Sequence, residues 1–221
     1  MALNLDEITE CLGQVDRELF RAAGHDDCAG FHKDSQMTAV LTLLVRCSST
    51  LRSSLLLFER RASDGFQVVI RAFEEAWYLS VVLRLADQRD KASRWLDEQK
   101  GAWSPPLSEL MAFVRDRGVL DPSMGRDYGV LSQVSHPTKS AAMNSVTLCG
   151  ARLGIPEARA ELEEEFRNEE ARLPDALIRL LWAMTDGDKR FIPLHMDRKN
   201  IPLFWDLVER EKRRAEATQN G

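Results

Sequence analysis

Apolar residues recur at every third or fourth position along most of the chain, and runs in which apolar and polar residues strictly alternate are nearly absent. Such spacing places apolar side chains on one face of an α-helix, whereas strict alternation is typical of strands. The pattern therefore predicts a mostly helical protein. The predicted helices span 5–23, 35–61, 66–87, 89–103, 107–117, 138–149, 156–172, 174–184 and 202–217.

The helix predicted at 66–87 is apolar on most of its circumference, which favours a central position in a bundle. Ser63-Asp64-Gly65 is predicted to form the loop that joins it to 35–61, and a loop that short makes the two helices antiparallel neighbours. We therefore expect an all-α fold in one domain, 1–221. It is an antiparallel helical bundle with its core at about 35–150 and C-terminal helices at 157–217.

Composition limits the classes of function. The 221 residues suffice for one buried core, and an apolar fraction of 44% is normal for a globular domain. The net charge of -5 argues against a protein whose main task is to grip nucleic acid. The first residues lack the pattern of a signal peptide, and arginine interrupts the most apolar windows. We expect a cytoplasmic protein with no membrane partner.

Candidate ligands for metals and cofactors are few. The four cysteines are widely spaced and form no CxxC pair. His25, Cys28 and His32 stand close together, but their spacing matches no standard zinc pattern. The sequence contains no P-loop, GxGxxG or HExxH motif. It therefore predicts no metal site and no cofactor.

Tyr128, Ser132 and His136 follow one another at intervals of four residues in the segment RDYGVLSQVSHP. Helical geometry places them on one face, and Pro137 should end the helix at or just before His136. The row is a candidate ligand-binding site, with His136 as a candidate catalytic residue. The alternative is structural, because an imidazole at a helix C-terminus interacts favourably with the helix dipole without any catalytic role.

A second polar face runs along the helix predicted at 66–87. Its members, three or four residues apart, are Gln67, Arg71, Glu74 and Tyr78. Inside a bundle, Arg71 would need a carboxylate from Glu74 or Glu75, because a lone buried charge is very costly. On the outside, the face would be solvated and carry an intrahelical ion pair. Arg71, Glu74 and Tyr78 are candidate ligand-binding residues, and Arg71 and Glu74 are also candidate catalytic residues.

The combination of IRAFEEAWYL with YGVLSQVSHP further along the chain resembles uncharacterised bacterial all-α proteins. Their general look is similar to the HEPN superfamily (higher eukaryotes and prokaryotes nucleotide-binding domains). These are compact helical bundles that often dimerise, and many act as ribonucleases in toxin or phage-defence systems. The resemblance covers roughly 35–150. It implies a HEPN-like bundle with a homo-oligomeric or protein partner, and RNA as a further candidate partner that the net charge does not favour.

The resemblance implies functional positions as well. The matching residues are Arg71, Glu74 or Glu75, Tyr128, Ser132 and His136. Arg126 lies ten positions before His136, farther than the arginine and histidine of the HEPN ribonuclease motif. The resemblance therefore supports the fold of this superfamily more strongly than its ribonuclease activity.

Three functions stay open at this point. The first is a non-catalytic helical binding or regulatory module of uncharacterised bacterial type, linked to defence or toxin systems. The second is a metal-independent HEPN-type endoribonuclease, with His136 as general acid or base and Arg71 stabilising the charge of the transition state. The third is a small-molecule enzyme that uses Ser132 and His136. We expect the row ending at His136 to form a polar cluster with the Arg71/Glu74 face. The three functions are distinguished by whether Arg71, Glu74 and His136 converge in a cleft open to solvent.

We also expect a homodimer. The family resemblance implies one, and the C-terminal helix at 202–217 is more apolar than a terminal helix needs. The residues concerned are Leu203, Phe204, Trp205 and Leu207.

Overall fold

Seven α-helices contain most of the residues that the structure describes. The computed structural model describes residues 5–22, 34–97, 103, 105–119, 147, 150–186 and 188–219. The helices are α1 (Leu5–Ala22), α2 (Ser35–Glu59), α3 (Ser63–Arg84), α4 (Arg89–Leu96), α5 (Leu107–Asp116), α6 (Pro156–Met184) and α7 (Pro202–Gln219). Within these ranges there is no strand, and Leu85 and Phe191 form an isolated bridge. The predicted all-α class is confirmed.

The predicted central hairpin is confirmed, because α2 and α3 share the most extensive contact among the described helices. Its loop differs from the prediction. Ser63-Asp64-Gly65 is the first turn of α3, and the connection is made by residues 60–62, with Arg61 at a φ of 50°. A Cβ on Gly65 would lie 3.1 Å from Leu57 Cδ2. Glycine at 65 therefore allows the two helices to approach closely where they meet, which is a packing role rather than a turn.

The remaining helices cover this hairpin. Helices α1, α4 and α6 contact α2, while α5 and α6 contact α3. The centre is aromatic: the ring of Trp77 lies 4.9 Å from that of Tyr78 and 6.1 Å from that of Trp182. Around it lie fully buried aliphatic side chains from α1, α2 and α6, among them Leu12, Leu44, Leu51, Leu177 and Leu180. A single contiguous core thus joins the described helices.

Helix α7 packs against α1 and α6. Phe204 and Leu207 are buried in the common core, and Leu203 and Trp205 are partly buried against it. This apolar face, which motivated the expectation of a homodimer, is therefore used within the chain. The expectation of a dimer now rests on the family resemblance alone.

The prediction of separate helices at 156–172 and 174–184 is wrong. One helix, α6, runs from Pro156 to Met184 with Pro174 inside it. Proline at that position removes one N–H donor from the helix. The helix continues because Leu173 and Leu177, on either side of Pro174, are fully buried in the core. Tertiary packing here outweighs a local helix breaker.

Two other predicted ends are corrected. Helix α3 ends at Arg84 rather than near 87, because Leu85 is extended and pairs with Phe191. Helix α4 ends at Leu96, well before 103. The predicted helix at 138–149, apart from residue 147, and most of the segment before it lie outside the described residues.

In the sequence, arginine interrupts the most apolar windows, but helix α2 as a whole is long and apolar. It is the one described helix with the length and composition of a membrane span, with a mean hydropathy of 1.3 over its most apolar window. Half of that window is buried inside the protein. A core helix of a bundle meets the same criteria, and the packing of α2 against α1, α3 and α6 accounts for its apolar character.

Two buried charged residues hold the segment that joins α6 to α7. Arg84 donates to the backbone carbonyl oxygens of Ala183, Thr185 and Ile192 and pairs with Asp186 at 2.5 Å. Burial lowers the pKa of Arg84 to about 10, which leaves it protonated at neutral pH. On the other side, Glu18 accepts hydrogen bonds from the backbone N–H of Asp197, the amide of Asn200 and the guanidinium of Arg21.

Candidate functional site

An open cleft of about 750 Å³ lies among α2, α3, α4 and the start of α5. This volume is typical of small-molecule sites. Its charged lining residues are Arg46 on α2 with Arg71 and Glu75 on α3. The other lining residues are mainly apolar: Leu43, Ala72, Ala76, Leu79, Trp95, Pro105, Pro106, Leu107, Leu110 and the hydroxyl-bearing Ser108.

Arg71 is the member of the predicted α3 polar face that lines this cleft. Its side chain is 18% exposed, and its Nε donates to Oε1 of Glu75 at 3.0 Å. The sequence left Glu74 and Glu75 as possible partners of Arg71, and along the helix it is Glu75 that forms the ion pair. Since Glu75 is itself 48% exposed, the pair is worth only a few tenths of a kcal/mol. The Arg71 guanidinium thus lies in the wall of the cleft beside the carboxylate of Glu75.

Glu74 has a different environment, because it is buried against α6. Arg179 Nη1 donates to both of its carboxylate oxygens, at 2.7 and 2.8 Å. Arg179 is fixed in turn by Asp175 at 2.8 Å and lies over the ring of Trp77, whose Nε1 donates to the Arg179 carbonyl oxygen. This arrangement balances the buried charge and locks α3 to α6. Glu74 is not among the residues that line the cleft.

Tyr78 is also buried, in contact with the Trp77 ring. Burial, reinforced by the nearby carboxylate of Glu74, raises the pKa of its phenol above the ordinary value. The hydroxyl therefore stays neutral at physiological pH. Tyr78 is therefore a core residue, and it is not among the described residues that line the cleft.

Gln67, the first residue of the same polar face, belongs to another buried cluster, which the sequence did not reveal. Glu169 on α6 is fully buried and accepts hydrogen bonds from the hydroxyl of Ser63 and from Nε2 of Gln67, the latter at 3.1 Å. Arg172 donates to Oε1 of Gln67 at 2.7 Å. The cluster joins the first turns of α3 to the middle of α6.

The pKa of Glu169 is raised to about 6, mainly by burial. The hydrogen bonds from Ser63 and Gln67 and the charge of Arg172 oppose this rise, and the charge of Glu165 adds to it. A carboxyl group whose pKa is higher in the folded state than in the unfolded state stabilises the fold when it is protonated. This contribution to the free energy of unfolding is fully present below the pKa that Glu169 has in the unfolded chain, and it is lost as the pH rises through about 6. The cluster therefore makes the α3–α6 contact more stable in mild acid.

The row of Tyr128, Ser132 and His136 lies outside the described residues, and so do His25, Cys28 and His32. The predicted meeting of His136 with the Arg71/Glu74 face therefore stays a prediction. Over the part of the chain that the structure describes, no group of three or more His, Cys, Asp or Glu side chains could hold a metal ion. Of the α3 polar face, Arg71 lines the cleft, whereas Gln67 and Glu74 bind residues of α6.

Sequence reasoning missed Arg84, Arg179 and Glu169, three of the buried charged residues that organise the fold. A signal for the two arginines was present, since each stands alone among apolar residues, in SVVLRLA and in ALIRLLWAM. A single charge with apolar neighbours on every side of a helix predicts a buried, partnered group. No comparable signal marked Arg46 or Trp95 as lining residues of a cleft.

Comparison with protein-family models, curated proteins and solved structures finds no match to this chain. The assignment of function therefore depends on the geometry of its own residues.

Proposed function

We propose that this protein is a non-catalytic ligand-binding module whose site is the cleft lined by Arg71. The observation that carries the proposal is the combination of a 750 Å³ concavity, a largely apolar lining and a half-buried guanidinium in its wall. Binding sites for small molecules have this composition: apolar surface supplies affinity, and a few placed polar groups fix orientation.

The proposed binding surface is the cleft, and it includes one residue of the α3 polar face that the sequence indicated. Two other residues of that face bind α6: Glu74 pairs with Arg179, and Gln67 binds Glu169 and Arg172. Groups that satisfy one another inside a core contribute to stability and are costly to separate. Arg71 is the residue of this face that a ligand entering the cleft would meet.

Binding is favoured over catalysis by the chemistry of the described lining. Its carboxylate, Glu75, is ion-paired with Arg71, and its hydroxyl, Ser108, stands at the start of α5. Nucleophilic catalysis would need a base within hydrogen-bonding reach of such a hydroxyl. The HEPN-like relationship, the bacterial defence or toxin context, the cytoplasmic location and the homodimer belong to this proposal as expectations drawn from the sequence.

The endoribonuclease alternative makes a separate prediction. It requires His136 to act with Arg71 on a phosphodiester, so the wild-type protein should cleave RNA without metal, and His136→Ala should abolish the cleavage. Incubation of the purified protein with total RNA in the presence of a chelator tests this directly. Cleavage that depends on His136 would replace the binding proposal with the ribonuclease.

The binding proposal is tested by filling the cleft. Ala72 is half-buried on its α3 side, so Ala72→Phe should place a ring in the space a ligand would occupy. The probe is 1-anilinonaphthalene-8-sulfonate, followed by its fluorescence. Val68→Phe is the matched control, because Val68 lies on the same helix, is 53% exposed and does not line the cleft.

We expect the dye to bind the wild type and Val68→Phe alike and to lose most of its affinity for Ala72→Phe. Circular dichroism should show that both variants stay folded. Equal binding of the dye to both variants, or no binding to the wild type, would refute the cleft as the ligand site.

A further inference from the structure

The charges of the cleft are gathered at one of its ends. Helices α2 and α3 are antiparallel, and Cys47 Sγ lies 4.0 Å from the carbonyl oxygen of Phe73, which places these residues at the same level. Arg46, next to Cys47, therefore lies beside the turn of α3 that carries Arg71 and Glu75. Both cations and the carboxylate of the lining share this level.

The opposite end is apolar. Leu79 lies eight residues beyond Arg71, about 12 Å further along the axis of α3 at 1.5 Å per residue. Leu43 lies about one turn before Arg46 on α2 and so approaches the same level as Leu79. Trp95 also lies toward this end, because the hydroxyl of Ser93 on α4 is 2.7 Å from that of Ser35 at the beginning of α2.

The balance of charge at the polar end selects a ligand of one negative charge. Among the lining residues that the structure describes, Arg46 and Arg71 contribute two positive charges and Glu75 contributes one negative charge, so these three groups together carry one positive unit. A monoanion neutralises this charge, and a dianion would have to lose more of its hydration for the same two arginines. Guanidinium groups match the planar geometry of carboxylates.

We infer that the cleft takes a monoanionic amphiphile, with its carboxylate at Arg46 and Arg71 and its apolar body lying toward Leu79 and Trp95. This inference rests on the proposed function and specifies its ligand. The apolar body is an alkyl chain or ring system of about 12 Å, the length of the α3 stripe between the two ends. Burial of that body supplies most of the affinity, and the two arginines set its direction and charge.

The inference is tested with four probes that share a ten-carbon chain and differ in the head group: decanoate, decyl phosphate, decanol and decyltrimethylammonium. Each is titrated against the full-length protein below its micellar concentration, by calorimetry. Decanoate should bind most tightly, decanol and decyl phosphate more weakly, and the cation weakest of all. Arg71→Gln should weaken decanoate about tenfold while leaving decanol unchanged, since a charge-assisted hydrogen bond contributes at least that factor.

Two further variants sharpen the test. Glu75→Gln removes the competing carboxylate and should tighten decanoate a few-fold, which a purely structural role of Glu75 would not do. Arg52→Gln is the control, because Arg52 also lies on α2 but pairs with Asp16 on α1 and does not line the cleft. It should leave the affinity of all four probes unchanged.

The outcomes separate this inference from the function on which it rests. Four equal affinities, tighter binding of decyl phosphate, or insensitivity of decanoate to Arg71→Gln would overturn the monoanionic ligand. If Ala72→Phe still abolished binding in that case, the cleft would stand as the binding site. Failure of all four probes to bind would instead refute the proposed function.

Discussion

Replacing Arg179 by methionine removes the cation that balances the buried carboxylate of Glu74. The substitution deletes both hydrogen bonds to Glu74, the bond to Asp175 and the contact with the Trp77 ring. Glu74 is 8% exposed, so its charge would be left in the core without this partner. Breaking a buried pair in this way costs about 3–5 kcal/mol. For a chain of this size, the cost corresponds to a fall in Tm of roughly 6–20 °C.

The companion variants separate the causes of that loss. Glu74→Gln leaves Arg179 with Asp175 and should cost less, about 1–3 kcal/mol. The double variant Glu74→Leu/Arg179→Met removes both charges and should recover most of the stability lost by Arg179→Met, because no buried charge is left unpaired. Asp175→Ala is the control: its side chain is 56% exposed, so the change should cost less than about 1 kcal/mol.

Urea unfolding followed by circular dichroism measures all four variants. The double variant is expected to be more stable than Arg179→Met alone. A double variant no more stable than Arg179→Met, or a loss below about 1 kcal/mol for Arg179→Met, would contradict the structural role assigned to Glu74. Glu74 would then return as a candidate for the binding site.

Three further predictions concern the fold and its assembly. Glu169→Gln should gain about 2 kcal/mol of stability relative to the wild type between pH 4.5 and pH 7.5, because only the wild type must ionise a buried carboxyl with a pKa of about 6. A stability difference that does not change with pH in urea unfolding would disprove this. Leu55→Asp should prevent folding at the α2–α3 contact, whereas Val68→Asp, on an exposed position, should remain soluble and cooperative by circular dichroism. Light scattering at tens of micromolar should show a dimer, and a monomer would count against the family resemblance.

The helical class and the central hairpin were predictable because both depend on long apolar patterns. Leu44, Leu51 and Leu55 recur along α2 at helical spacing, and all three are buried. The features that local sequence signals failed to predict are those determined by tertiary contacts. Gly65 resembles a turn residue in the sequence but serves the approach of α3 to Leu57, and Pro174 resembles a helix start but lies within α6 because its neighbours are buried.

The candidate site was predictable only in part, for a geometric reason. Helical spacing correctly grouped Gln67, Arg71, Glu74 and Tyr78 on one side of α3. It could not show that this side is divided between α6, which binds Gln67 and Glu74, and the cleft, which Arg71 lines. That division depends on residues more than a hundred positions away, such as Arg179, whose partner no local pattern specifies.

The central claim is that ligands meet Arg71 in the cleft while Glu74 and Arg179 serve the core. A nuclear magnetic resonance titration of the isotope-labelled protein with decanoate tests it most directly. The side-chain Nε–Hε signal of Arg71 and the indole N–H signal of Trp95, assigned with Arg71→Gln and Trp95→Phe, report the two ends of the cleft. The account predicts that both shift with one common affinity, while the Nε–Hε signal of Arg52 and the indole signal of Trp77 stay in place. Shifts confined to Trp77 and Arg179, or no saturable shift at Arg71, would contradict it.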